Sequence, residues 1–236
     1  MPLSHQISRS IPIGIPAYNA HNTLHILLKK ILPLGHPIVI CDDGSETALG
    51  DKLPELNTNL TIIRHQKNRG KAAALRTLYK QAIAMQASAL LVMDADGQHP
   101  AEHIKEFLSA HKKFPNSLIL GNRLSQAHKI PAIRRLGICS ADFLLTLITG
   151  KKICDSQCGM RLIPAALLPH LLADTTQGFA AESSALIIAI KNGHTLANVP
   201  IPALYDLQQQ SHYRTLRDTV QIGAHLALQL LKLKKV

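Results

Sequence analysis

The sequence contains no tryptophan, and aromatic residues make up only 3% of its 236 positions. Proteins that bind single-stranded nucleic acid stack the bases on aromatic side chains, and this chain supplies few of them. Nowhere do roughly 18 apolar residues follow one another without interruption, so we expect no transmembrane helix. The first ten residues are too polar for the apolar core of a secretory signal. These absences together predict a cytoplasmic protein.

Cysteine is also scarce. The four cysteines are Cys41, Cys139, Cys154 and Cys158, and none belongs to a CxxC pair. Paired CxxC spacing is typical of zinc sites, and disulfides belong to oxidising compartments. We therefore expect reduced thiols and no zinc site.

Acidic residues are outnumbered, since 26 Lys+Arg stand against 15 Asp+Glu and give a formal net charge of +11. Such an excess indicates an anionic partner: nucleotide phosphates, an acidic membrane surface or nucleic acid. The basic residues are dispersed and form no nucleic-acid-binding motif, which argues against the last of these. A content of 46% hydrophobic and 17% charged residues is typical of a folded globular chain, and the length fits a single domain over residues 1–236.

Apolar runs that predict strands alternate with segments of helical periodicity along the first half of the chain. This alternation predicts an α/β fold with a doubly wound, mostly parallel central sheet flanked by helices. The predicted strands are 11–15, 37–41, 60–63, 90–93, 117–120 and 195–201. The predicted helices are 23–32, 72–86, 101–113, 133–148, 178–192 and a closing C-terminal helix at 215–233. Basic residues flank the closing helix, which fits either a docked terminal helix or one that lies on a membrane surface.

The most informative stretch is residues 90–100, where an apolar strand ends in two aspartates. Asp94 and Asp96 are one residue apart, so along an extended chain they point the same way from the carboxyl end of the strand. Together with Gln98 they offer the hard oxygen ligands that Mg²⁺ or Mn²⁺ prefers when it carries a phosphorylated substrate. His99 fits equally well as a turn residue or as a ligand.

Four motifs occur in a fixed order: PAYN at 16–19, DDGS at 42–45, NRGK at 68–71 and DADGQHP at 94–100. In this order and spacing they resemble the family 2 glycosyltransferases with a GT-A fold. Within that family the chain is similar to dolichyl- and polyprenyl-phosphate sugar synthases. Later motifs extend the resemblance to about residue 205, and they lie at 121–123, 155–161, 179–182 and 199–201.

The resemblance implies a metal-dependent, inverting transfer of a sugar from a UDP- or GDP-sugar bound mainly by residues 11–125. Asp94 and Asp96, which flank Ala95, and Gln98 would hold Mg²⁺ or Mn²⁺, and Asp43 would hold the nucleoside. Other residues would wall the base or meet the diphosphate, namely Pro16, Tyr18, Asn19, Asn68, Gly70 and Lys71.

For the acceptor half, about residues 126–205, the resemblance implies phosphate-binding arginines and a carboxylate. A phosphate acceptor beside a diphosphate donor needs cations, and the candidates are Arg123, Arg134, Arg135 and Arg161. Arg134 and Arg161 fit surface charges equally well. Asp155 is the first candidate for a general base and Glu182 the second, but a base is needed only if the acceptor is a hydroxyl. In the closing segment 206–236, His212 would reach the metal or the diphosphate and Arg214 the phosphate. A polar surface loop is the alternative for this stretch.

The favoured acceptor is a polyprenyl phosphate, presented at the inner face of the membrane to a protein that docks there through basic residues. A glycan or lipid hydroxyl is the alternative acceptor. A nucleotidyltransferase is another possible enzyme, because such sheets also place carboxylates around a metal and a triphosphate. A non-enzymatic basic module that binds nucleic acid or membrane has only the net charge in its support.

Overall fold

A seven-stranded sheet organises the part of the chain that this computed structural model describes, which is residues 10–52, 59–97, 99–178 and 180–204. Its strands are β1 (Ile13–Ala17), β2 (Ile38–Asp42), β3 (Leu60–Arg64), β4 (Ala89–Val92), β5 (Leu118–Asn122), β6 (Arg161–Pro164) and β7 (Leu196–Pro200). They lie in the order β3-β2-β1-β4-β6-β5-β7. Only β6 runs against its neighbours β4 and β5, so the sheet is mostly parallel, as predicted.

Six α-helices connect the strands within the described ranges. They are α1 (His21–Ile31), α2 (Lys71–Ala84), α3 (Ile104–Lys113), α4 (Ala132–Thr149), α5 (Leu168–Leu172) and α6 (Ala180–Lys191). A 3₁₀ turn at Ala101–His103 leads into α3. None of these helices is long and apolar enough to cross a membrane.

The core forms two layers, one on each face of the sheet. Leu90 and Val92 of β4 pack in the layer that contains buried residues of α2, α4, α5 and α6. Ala89 and Leu91 of the same strand pack in the other layer, with α1 and α3. Successive side chains of a strand point to opposite faces, so a strand covered by helices on both sides is apolar at every position. The doubly wound α/β prediction is confirmed.

The structure corrects the sequence-based elements at three places. Pro16 and Ala17 were predicted to lie in the loop after β1, but they are its last two residues. Strand β6 and the short helix α5 were not predicted at all. Residues 161–164 start with an arginine and end with a proline, so no local periodicity marks them, and they become a strand through pairing with β4 and β5. The predicted closing helix lies outside the described residues.

Helix α4 offers a matched test of the packing, because its two faces differ in burial. Leu145 is fully buried in the core, whereas Leu147 is 57% exposed. We expect Leu145→Ala to lower the free energy of unfolding by about 2–5 kcal/mol, because the change leaves a cavity. Leu147→Ala should change it by less than about 0.5 kcal/mol. Urea denaturation of both variants measures the difference, and equal losses would contradict this orientation of α4.

Candidate functional site

The loops that follow β1, β2, β3 and β4 lie at one edge of the sheet, because these strands are parallel and end on the same side. In open α/β sheets this carboxyl edge is where ligands bind. All four motifs of the first half of the sequence lie in or beside these loops. The sequence motifs are therefore neighbours in space.

Asp42, the last residue of β2, fixes the shape of the loop that follows it. Its Oδ1 accepts a hydrogen bond from the backbone N–H of Ser45 at 2.9 Å. Its Oδ2 accepts from the N–H of Leu49 at 3.2 Å and from the guanidinium of Arg64 at 2.9 Å. Burial by itself would raise the pKa of Asp42, but these hydrogen bonds and the Arg64 charge outweigh it and lower the pKa. Asp42 is a structural anion.

Asp43, the predicted nucleoside ligand, joins three segments of the site. Its Oδ1 accepts hydrogen bonds from His65 Nδ1 at 2.6 Å and from the N–H of Arg69 at 3.0 Å. Its Oδ2 accepts from the N–H of Gly70 at 2.7 Å, and its own N–H donates to the carbonyl of Ala17. The carboxylate therefore ties the loop after β2 to the loop that precedes α2.

Gly44 lets these two loops pack backbone against backbone. Its φ is +72°, and a Cβ at this position would overlap the backbone of Lys67 and lie 2.6 Å from the nitrogen of Asn68. Only glycine meets both conditions, because a side chain is excluded by sterics and the left-handed conformation disfavours other residues. The close approach of the two loops thus explains why glycine follows the aspartates in the DDGS motif.

His65, which the sequence analysis missed, orients Asp43 through the hydrogen bond between its Nδ1 and the Asp43 carboxylate. Its Nε2 lies 2.9 Å from Thr77 Oγ1 and 3.6 Å from the thiol of Cys41. A Cys-His-Asp cluster is the pattern of a nucleophilic site, but Cys41 is fully buried. Burial, followed by the charge of Asp43, raises the pKa of the Cys41 thiol to about 12. The thiol therefore stays protonated, and the cluster positions Asp43 without being reactive.

The loop after β1 contacts the loop after β2 through Asn19. The N–H of Asn19 donates to Ser45 Oγ at 2.9 Å, and its Oδ1 accepts from the N–H of Glu46 at 3.0 Å. Tyr18 beside it is half-buried, and Pro16 is buried within β1. The structure therefore brings Asn19 and Tyr18 to the edge where a base was predicted to bind, while Pro16 is part of the strand.

Lys71, the first residue of α2, lies between two carboxylates. Its Nζ is 2.7 Å from an oxygen of Asp94 and 2.7 Å from an oxygen of Glu182. Burial by itself would lower the pKa of Lys71, but the two carboxylates raise it above its ordinary value. Burial would likewise raise the pKa of Asp94, but Lys71 holds it below its ordinary range. The ammonium of Lys71, the predicted diphosphate ligand, is therefore engaged by two carboxylates.

Glu182 is also near Arg161, whose Nη2 is 3.9 Å from its Oε2. Arg161 is 5% exposed and so is not a surface charge. Its guanidinium donates to the backbone carbonyls of Ser156, Cys158 and Glu182 at 2.6–2.8 Å. Arg161 therefore holds the loop at 156–158 against the start of α6 and is not available to a phosphate.

Asp155 and Arg123 form a closed pair. The Nε and Nη2 of Arg123 donate to the two oxygens of Asp155 at 2.8 and 2.7 Å, and the backbone N–H of Arg123 adds a third bond. Asp155 is fully buried and has a φ of +53°. We predicted that Arg123 would face a phosphate and that Asp155 would act as a base. The structure instead turns the guanidinium inward, since a buried carboxylate must be paired.

Asp142, the one acidic residue of α4, supports this pair. Its Oδ2 accepts from the N–H of Asp155 and its Oδ1 from the N–H of Ser156, both at 2.8 Å. Burial raises the pKa of Asp142, although these hydrogen bonds act against it. The acid thus holds the backbone on which Asp155 sits in its left-handed conformation.

Asp94 and Asp96 follow β4, as predicted, and both are half-buried. Gly159 packs directly against Asp94, because a Cβ there would overlap the carboxylate. No cluster of three His, Cys, Asp or Glu residues that could hold a metal occurs within the described ranges. Asp94, whose carboxylate already attracts the Lys71 ammonium, and Asp96 nevertheless fit Mg²⁺ or Mn²⁺, which proteins often bind through one or two carboxylates plus substrate phosphates and water.

The remaining predicted residues are less central or lie outside the described part of the chain. Arg135 is exposed and donates to the carbonyl of Ala127 at 3.3 Å, and Arg134 is half-buried. His99 is buried, with Nε2 3.9 Å from Cys158 Sγ, and burial lowers its pKa although Asp94 and Asp96 act against this. The residues outside the described ranges are Gln98, His212 and Arg214.

Two of the residues that the sequence analysis missed carried a weak signal. Asp142 is the only acid in a long apolar helix, and such an acid on the buried face requires partners. His65 comes directly after β3, at the same edge of the sheet as Asp43. Gly159 carried none, because its close approach to Asp94 arises only when the two segments pack together.

Gly159→Ala tests the packing around Asp94. We expect it to lower the free energy of unfolding by about 1–3 kcal/mol, because the carboxylate must move away from Lys71 to make room. Gly50→Ala is the control, since its Cβ would meet only Ile62 at an ordinary 3.6 Å. Chemical denaturation compares the two variants, and a Gly159→Ala variant as stable as the control would refute the close packing.

Asp42 should make stability dependent on pH. Its pKa is lower in the folded chain than the unfolded value of about 3.9, so its stabilisation is complete above that value and is lost as pH falls through the folded pKa. We expect Asp42→Asn to lower the free energy of unfolding by about 1–3 kcal/mol at neutral pH and by less at about pH 3. Urea midpoints at the two pH values measure this, with the exposed Glu106→Gln as control. An equal loss at both values would argue against an ionised, hydrogen-bonded Asp42.

The family model described as "Glycosyl transferase family 2" matches residues 13–170. A UDP-N-acetylglucosamine–dolichyl-phosphate N-acetylglucosaminyltransferase from Methanococcus voltae is 27% identical over 93% of this chain and 94% of its own length. A polyprenol monophosphomannose synthase from Mycolicibacterium smegmatis is 27% identical over 79% of this chain and 74% of its own.

A solved structure shares the fold. Glucosyl-3-phosphoglycerate synthase from Mycobacterium tuberculosis, in complex with Mn²⁺, UDP-glucose and phosphoglyceric acid, aligns with a TM-score of 0.68 at 16% identity. The alignment covers 94% of this chain and 79% of that one. The sheet order, the four motifs at its carboxyl edge and the match over residues 13–170 lead to one conclusion: the chain belongs to glycosyltransferase family 2 and has the GT-A fold.

Proposed function

We propose that this glycosyltransferase moves a sugar from a nucleoside-diphosphate sugar to a polyprenyl phosphate. The observation that carries the proposal is the acidic tip of β4, where Asp94 is joined through Lys71 to Glu182 at the carboxyl edge of the sheet. A site of this charge, in a chain of this family, fits a donor whose leaving group is a nucleoside diphosphate.

Asp43 is the residue that would bind the nucleoside. An ionised carboxylate offers about four acceptor positions, and the described partners His65, Arg69 and Gly70 take three. One position remains for an N–H of a nucleobase or a ribose hydroxyl, and Asn19 with Tyr18 lies at the same edge. The name of the Methanococcus voltae relative favours a UDP-sugar over a GDP-sugar.

The diphosphate would lie near Asp94, Asp96 and Lys71. A divalent cation held by the two aspartates would supply positive charge, which would offset the negative charge of the departing diphosphate. Lys71 would contribute in the same direction, since its ammonium needs only to turn from the Asp94 carboxylate toward a phosphate oxygen. Glu182 would keep the other side of the ammonium fixed, so that Lys71 stays at the site throughout.

The burial and the ion pairing of the two candidate bases, Asp155 and Glu182, favour a phosphate acceptor over a hydroxyl acceptor. Asp155 is fully buried with both oxygens bound to Arg123, and Glu182 is 6% exposed and bound to Lys71. Neither carboxylate is presented to an incoming hydroxyl. A lipid phosphate is already anionic and attacks without a general base, so it needs only cations such as those of Arg134 and Arg135 to reduce its repulsion from the donor.

The other interpretations carry less support. Membership in a glycosyltransferase family argues against both a nucleotidyltransferase and a non-enzymatic basic module. Transfer to a glycan or lipid hydroxyl would require Asp155 to leave Arg123. We further propose that the protein acts at the inner face of the membrane as a peripheral protein, since the hydrocarbon chain of a polyprenyl phosphate confines this acceptor to a membrane. Residues 11–125 would bind the donor and residues 126–205 the acceptor.

Ligand-induced thermal stabilisation tests the donor site. We expect UDP-N-acetylglucosamine or UDP-glucose to raise the melting temperature more with Mn²⁺ than without, because a ligand at a hundredfold excess over Kd adds about 2.7 kcal/mol. Asp96→Ala should abolish the Mn²⁺-dependent part of this shift while it keeps the fold.

Glu106→Ala is the matched control, because Glu106 is an exposed acid on α3 that belongs to none of the motifs. A Mn²⁺-dependent shift that persists in Asp96→Ala would remove Asp96 from the proposed ligand set. The absence of any shift with UDP- and GDP-sugars in the unmodified protein would count against the donor class itself.

A further inference from the structure

Helix α4 exposes a stripe of large apolar side chains, which we call the α4 stripe: Ile133, Leu136, Phe143 and Leu147. Their exposed fractions are 70%, 67%, 63% and 57%. Half of the eight large hydrophobic residues that are exposed in the described ranges belong to this one helix. Isolated exposed hydrophobics are normal on protein surfaces, but a set of this size on one element indicates a binding surface.

The spacing of the stripe is that of one helix face. Its members follow one another at intervals of three, seven and four residues, which places them along a single side of an α-helix. The opposite side carries the buried residues Ile138, Ala141, Asp142 and Leu145. α4 is thus apolar on two faces, and only one of them is covered by the core.

The exposed charges of the segment that carries the stripe are of one sign. Residues 124–154 contain five basic residues at the two ends of the helix, namely Lys129, Arg134, Arg135, Lys151 and Lys152. The same segment contains one acid, Asp142, and that acid is buried. A surface with an apolar centre and cationic ends is complementary to an anionic lipid bilayer, in which the apolar stripe enters the acyl boundary and the cations contact head groups.

We propose that the α4 stripe docks the protein on an anionic lipid bilayer. The inner face of the same helix holds the acceptor side of the site, because Asp142 binds the backbone of Asp155 and Asp155 binds Arg123. Docking through α4 therefore places that side of the site nearest to the lipid. The surface does not depend on the sugar or the metal, so failure of the nucleotide-sugar test leaves this inference standing.

The absence of tryptophan from the chain makes a single-tryptophan reporter possible. We expect the emission of Phe143→Trp to shift to the blue with phosphatidylglycerol vesicles and to change little with phosphatidylcholine vesicles. Ile26→Trp is the matched control, since Ile26 is 59% exposed on α1, which packs on the other face of the sheet. Its emission should not change with either vesicle.

Vesicle co-sedimentation of the full chain gives a second measurement. Leu136→Glu/Phe143→Glu should weaken binding to phosphatidylglycerol vesicles by about tenfold or more, because two apolar side chains no longer enter the bilayer. Ile26→Glu should bind as the unmodified protein does. Circular dichroism and the melting temperature verify that both variants are folded.

Several outcomes would overturn the proposal. One is no vesicle binding by the unmodified protein, and another is binding that the double variant leaves unchanged. A Phe143→Trp emission that is already blue-shifted without vesicles and does not respond to them would mean that residues 205–236 cover the stripe. A blue shift that follows protein concentration and dimer formation would mean that a second copy of the chain covers it.

Discussion

The ion bridge of Lys71 between Asp94 and Glu182 is the interaction on which the rest of the site depends. It connects the end of β4, the start of α2 and the start of α6, three elements that belong to different parts of the chain. Charges that are largely removed from water are stable only when they are paired, so none of these groups can be lost without leaving another uncompensated. Through this bridge Lys71 lowers the pKa of Asp94 and so favours a charged carboxylate at the edge of the sheet, which is the property that a cation site needs.

A second network of buried charges, around Asp155, follows the same rule. Asp142 on α4 holds the backbone of Asp155, and Asp155 holds the guanidinium of Arg123. The two networks meet in the loop at 155–159, where Arg161 binds the carbonyls of Ser156 and Cys158 and also approaches Glu182. One loop therefore connects the position of α4 to the ion bridge of Lys71. A helix that lies on a membrane by its outer face would set the position of this loop by its inner face.

The fold could largely be predicted from the sequence, because its signals are local. The strands β1, β2 and β4 are short apolar runs, and α2 is marked by helix-forming residues such as alanine. β6 could not be predicted, since it runs antiparallel between β4 and β5 and owes its extended form to those neighbours. Asp94, Asp43 and Asn19 were predicted at the carboxyl edge because each follows a strand. The partners of their side chains were not predicted, since hydrogen-bond partners leave no periodicity in a sequence.

Sequence by itself determined the α/β class, the motifs at the strand ends and the cationic character of the chain, because periodicity, turn residues and charge are properties of short segments. Only the tertiary structure decided which charges neutralise one another. Lys71 is 23 residues from Asp94, and Arg123 is 32 residues from Asp155. The packing of the chain makes Asp155 a buried partner of Arg123. It also leaves the outer face of α4 apolar and uncovered by the described residues. A pairing energy depends on distance in space, and distance in space is set by how the helices pack on the sheet.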